Sequence, residues 1–106
     1  MLACLALTAC VAASPERQLL ERFFSAARLN DNTLLAGLAT VTFNPRTDGT
    51  IEWFAIVDVT TGQDARKAVM VNAQVRTPDG ETVPQALLVT LAARDGRWMV
   101  SGIQRQ

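Results

Sequence analysis

The chain has 106 residues, with ten basic and ten acidic side chains and a formal net charge of zero. Neither sign is gathered into a block, so the basic face that nucleic acid requires is missing and nucleic acid is not an expected partner. There is no histidine and no tyrosine, which withdraws the commonest general base and metal ligand and the usual phenolic donor.

The chain begins with an apolar stretch, Met1-Leu2-Ala3-Cys4-Leu5-Ala6-Leu7, that runs into Leu7-Thr8-Ala9-Cys10. The last four residues resemble the lipobox of bacterial lipoproteins, in which small residues before the cysteine let an extended backbone approach the peptidase. The resemblance implies that Cys10 takes a diacylglycerol in thioether linkage, that cleavage precedes it, and that the protein is anchored to a membrane. Two or three acyl chains, such as palmitate, exceed what stable anchoring needs. Residues 1–13 are thus expected to be a signal and lipoprotein leader with a short tether, and the location the bacterial cell envelope. Val11 follows the cysteine where Asp would retain the protein at the inner membrane, so the implied destination in a double-membraned bacterium is the outer membrane. A secreted or periplasmic protein cut after Val11-Ala12-Ala13 is the alternative. Cys4 and Cys10 are the only cysteines, so the body of the chain has no disulfide framework, no cysteine zinc site and no thiol nucleophile. Residues 14–106 suit one domain.

Ser14-Pro15-Glu16-Arg17 reads as a helix start, with Ser as N-cap, Pro at the first position and an acid in the first turn. Leu19, Leu20, Phe23, Phe24 and Ala27 then recur at helical spacing, which predicts a helix from Pro15 to Leu29. Asn30-Asp31-Asn32 breaks it, and Asn32 is placed to cap a short second helix from Thr33 to Leu38 carrying Leu34, Leu35 and Leu38. Downstream the pattern is sheet, with strands at Ile51–Thr60, Ala68–Thr77, Val83–Arg94 and Arg97–Gln104. Pro78-Asp79-Gly80 and Asp95-Gly96 make the last three strands antiparallel neighbours.

Alternation assigns faces. Val69, Val71, Ala73 and Val75 share one side of the second strand, and Val83, Leu87, Val89 and Leu91 one side of the third. In the first strand Trp53, Ala55, Val57 and Val59 oppose Phe54, Ile56 and Asp58. Several strands are apolar on both sides, yet a helix pair covers one side only. The sheet must bend strongly around the helices or offer its other face to a partner. Leu20, Phe23, Val71, Val89 and Trp98 are the expected core. No metal-ligand spacing and no phosphate loop is present, and no cofactor is implied. Asp58 is the oddly placed acid, mid-strand among Ile56, Val57 and Val59.

Helix, short helix and a run of strands closing in Arg94-Asp95-Gly96-Arg97-Trp98-Met99-Val100-Ser101-Gly102-Ile103 resembles the nuclear transport factor 2-like superfamily. Phe23-Phe24-Ser25-Ala26-Ala27-Arg28-Leu29-Asn30-Asp31 is similar to the end of the first helix in that group, which includes small bacterial lipoproteins. The resemblance covers about residues 14–104. It implies an α+β cone in which a strongly curved antiparallel sheet of four strands wraps the first helix and leaves a pocket. Trp53, Phe54, Asp58 and Trp98 are candidates to line it. Ketosteroid isomerase-like members use a pocket carboxylate, which makes Asp58 the candidate base of a small isomerase or dehydratase. Without Tyr or His to assist it, the preferred expectation is a non-catalytic domain. Such a domain binds a small apolar ligand or an envelope protein, or forms a homodimer, through the open face of the sheet.

Overall fold

The computed structural model describes residues 14–106, so the leader, the lipobox and Cys10 lie outside the described residues. Two helices precede four strands: α1 Pro15–Arg28, α2 Asn32–Leu38, β1 Thr50–Thr61, β2 Arg66–Arg76, β3 Thr82–Arg94 and β4 Arg97–Arg105. The strands form one antiparallel sheet in the order β1-β2-β3-β4. The class is α+β. The sheet is open, with β1 and β4 as its edges, and is less curled than the strongly curved cone expected from the sequence. No helix among the described residues is long and apolar enough to cross a membrane.

Local chemistry explains the helix boundaries. The Ser14 side chain accepts from the Arg17 N–H at 3.4 Å, satisfying one of the free donors of the first turn. At the other end Asn30 takes a left-handed conformation, φ 55°. Its N–H donates to the Ala27 carbonyl, and the Asp31 N–H to that of Ala26. This crossed pair closes α1 as a Schellman motif, a role that asparagine tolerates better than other non-glycine residues. Asp31 then caps α2, its Oδ1 accepting from the Leu34 N–H at 3.1 Å. The cap is Asp31 and not the expected Asn32, and a single residue thus ends one helix and starts the next.

β2 and β3 pair without interruption from Arg66↔Ala92 to Arg76↔Thr82. Val69, Val71, Ala73, Val75, Leu87, Val89 and Leu91 therefore all face inward and are buried. β1 departs from simple alternation because Glu52 and Val57 are extra residues in its ladder with β2. Each bulge flips the phase. Ile51, Phe54, Ile56 and Val59 lie on the inward side, while Trp53, Ala55 and Asp58 lie on the outward one. Ser101 is a third extra residue, in β4 opposite Thr90 and Leu91.

Leu20, Phe23, Phe24 and Ala27 of α1 and Leu35 of α2 pack onto that inward face, with Phe43 from the connecting segment. Phe24 is central to the aromatic packing, 5.4 Å from Phe23, 5.3 Å from Phe54 and 6.1 Å from Phe43, centroid to centroid. These tilted and edge-on contacts add to the area each ring buries. Leu20, Phe23, Val71 and Val89 are completely buried. Trp98 is only partly buried. It sits near the sheet end at the margin of the core, with Lys67 Nζ 4.4 Å from its ring centroid.

Candidate functional site

Among the described residues the helices and core lie on one side of the sheet, and the outward side carries exposed apolar side chains. Trp53 projects from edge strand β1 with 56 % of its surface exposed, and Val57, on the same strand, is 58 % exposed. Ala55, Met70, Ala86 and Leu88 continue the outward apolar area across β1, β2 and β3, all partly exposed. It is contiguous apolar area, more than any single exposed side chain, that marks interaction surfaces.

Trp53 stands between two hollows. One, of about 240 Å³, lies between α1 and the start of β1 and is walled by Phe24, Ser25, Arg28 and Phe54. The other, of about 520 Å³, is on the outward face and is walled by Ala55, Asn72, Gln74, Pro84 and Ala86. The bulge at Glu52 shapes this corner. Its carboxylate meets Arg76 at 2.7 Å and accepts from the Thr82 hydroxyl at 2.9 Å. Three strands are thereby tied together beside the indole. An exposed ion pair of this kind contributes little to stability by itself, but it holds Glu52 in the wall of the α1–β1 hollow.

The four residues expected to line one pocket fall in three places. Trp53 and Phe54 share the α1–β1 groove. Asp58 is exposed on the outward face opposite Met70 and lines neither hollow. Trp98 is on the inward side near the opposite edge of the sheet, beneath Lys67. No charged or polar side chain among the described residues is buried. No three acidic, histidine or cysteine side chains among them come together as a metal site.

The sequence did not point to the arrangement at the first turn of α1. Lys67 Nζ donates to Glu16 Oε2 at 2.7 Å while lying over the Trp98 ring. The Lys67 hydrogen bond, most of all, holds the Glu16 carboxyl below its ordinary value. A backbone hydrogen bond and the ammonium charge add to the effect, and partial burial opposes it. One signal was available. Lys67 stands two residues before Val69 and four before Val71, so alternation turns it inward, toward the helix.

No family model, curated protein or solved structure matches the chain.

Proposed function

We propose that this protein is a lipid-anchored domain of the bacterial envelope that binds through the outward face of its sheet and performs no catalysis. It is read as a flattened member of the nuclear transport factor 2-like group, on the order of helix, helix and four antiparallel strands closed by an Asp-Gly turn. The observation that carries the binding reading is Trp53, an exposed indole at the junction of two hollows on a sheet face that carries no helix among the described residues. An apolar small molecule or a protein segment placed there gains the burial that the domain itself leaves unused. The second reading, an isomerase or dehydratase based on Asp58, has less support, since among the described residues Asp58 is exposed and lines neither hollow beside Trp53. Anchoring at Cys10 rests on Leu7-Thr8-Ala9-Cys10, and Cys10→Ala is expected to abolish palmitate labelling in bacteria.

Binding is tested with the full chain carrying Trp98→Phe, so that Trp53 is the sole fluorophore, and with anilinonaphthalene sulfonate as the apolar probe. The expected result is a blue-shifted indole and enhanced probe emission. Both should be lost in Ala86→Glu, which puts a carboxylate in the outward hollow, and kept in Asp58→Asn. Absence of probe binding, or binding untouched by Ala86→Glu, would overturn the open-face reading.

A further inference from the structure

Three arginines gather at one end of the outward face. Register places Arg66 opposite Ala92, and Arg94 opposite Arg97, where β2 begins and β3 and β4 meet their turn. Ala92 alternates with the buried Leu91, so all three side chains project on the outward side. Each is exposed, and none has an ion pair or hydrogen-bonding side-chain partner among the described residues. Three of the six other arginines are engaged, Arg17 with Glu21, Arg76 with Glu52 and Arg105 with Asp48, while Arg22, Arg28 and Arg46 stand apart from one another in the sequence and do not share a strand end. The acids at this end are Asp64 and Asp95, which lie in the two turns and pair with none of the three, and Glu16, which is consumed by Lys67. Asp58, also exposed on the outward face, lies farther along the sheet opposite Met70, so at the margin itself the three arginines outnumber the two turn acids by one.

The same end is where the polypeptide preceding α1 joins the domain. Glu16 is held by Lys67, whose ammonium also lies over Trp98, and Lys67 and Trp98 are the immediate neighbours of Arg66 and Arg97 in sequence. The first turn of α1 is thus pinned beside the arginine margin. Only four residues lie between Cys10 and Pro15, a reach of at most about 18 Å when fully extended. An acylated Cys10 therefore holds this end of the sheet within reach of the bilayer surface, whichever way the tether runs.

We propose that Arg66, Arg94 and Arg97 form a docking margin for anionic lipid headgroups, which sets the domain on its membrane with the tether end down. This inference rests on the anchoring read from Cys10. Guanidinium groups pair with phosphate oxygens in a forked geometry that lysine does not reproduce, and all three margin residues are arginine. The Trp53 hollow lies eight residues along β2, near Gln74, about 26 Å from Arg66 at strand rise. Docking by the margin holds that hollow clear of the headgroups and open to its occupant.

The test is co-sedimentation of the full chain, unacylated as Cys10→Ser, with phosphatidylglycerol-rich and pure phosphatidylcholine vesicles at low and high salt. Binding is expected only to the anionic vesicles and only at low salt. Arg66→Gln, Arg94→Gln and Arg97→Gln should each lower the partition coefficient about fivefold. Arg46→Gln, in the turn before β1 at the opposite end of the sheet, should leave it unchanged. No binding to anionic vesicles, or an equal loss with Arg46→Gln, would overturn the proposal. Palmitate labelling of the exported wild-type chain reads the anchor separately. Labelling without arginine dependence refutes the margin and keeps the anchor, whereas arginine dependence without labelling keeps the margin and removes the anchor.

Discussion

Lys67 places its ammonium between the Glu16 carboxylate, at 2.7 Å, and the face of Trp98. Both partners of the ion pair are largely shielded from water, so the contact matters more than an exposed pair does. Folding lowers the Glu16 pKa from its ordinary 4.5. The folded state therefore binds the proton less well than the unfolded state, and the pair stabilises the fold above about pH 4.5. That contribution is lost as pH falls through the lower folded value. Glu16→Gln is expected to be less stable than wild type at neutral pH by about 1–3 kcal/mol. The gap should narrow in urea titrations taken from pH 6 downward, whereas a constant gap would mean that charge is not the cause. Gly49 supplies a second test at this scale. It has φ 90°, and a Cβ there would meet the Arg76 carbonyl oxygen at 2.7 Å. Gly80 has a similar φ of 94° with open space around it. Gly80→Ala should cost only backbone strain, about 1–2 kcal/mol, and Gly49→Ala clearly more. Equal midpoints in denaturant would show that the approach of the Gly49 backbone to β2 is not tight.

The elements were legible wherever one periodic rule ran uninterrupted. α1 carried its own start, stripe and stop in Ser14-Pro15, Leu20-Phe23-Phe24-Ala27 and Asn30, and it was found within one residue of its expected end. β2 and β3 were legible face by face because their ladder has no bulge. β1 was not, since Glu52 and Val57 take bulge positions that need neither glycine nor proline and leave no mark in composition. Simple alternation put Val57 with Val59 and apart from Ile56. The bulge puts Ile56 and Val59 together and turns Val57 to solvent. Ile56→Asp should therefore cost about 2 kcal/mol or more, by placing a carboxylate against the core. Val57→Asp should stay within about 0.5 kcal/mol of wild type, like other surface changes. Equal penalties for the two would mean that the strand keeps its phase through Val57.

Across the whole molecule the asymmetry of coverage decides what the domain can do. Two helices and the Phe43 segment cover the inward face, and the outward face holds Trp53, Met70, Ala86 and Leu88. The apolar character of that face was readable from strands that are apolar on both sides. Its focus was not. Which aromatics share a hollow depends on the bulge before Trp53 and on the position of Trp98 near the far edge, both set by tertiary contacts. Adjacent residues of β2 test the asymmetry directly. Val71 is completely buried and Met70 is partly exposed one residue away, so the same charge introduced at each samples opposite faces. Val71→Glu buries an unpaired carboxylate in an entirely apolar core, a cost of several kcal/mol that takes most of a small domain's stability. It should yield protein without a cooperative thermal transition. Met70→Glu leaves its carboxylate hydrated and should melt within a few degrees of wild type, while losing the apolar probe from the outward face. If Met70→Glu unfolds the chain as Val71→Glu does, that face is already covered within the domain and is not available to a partner.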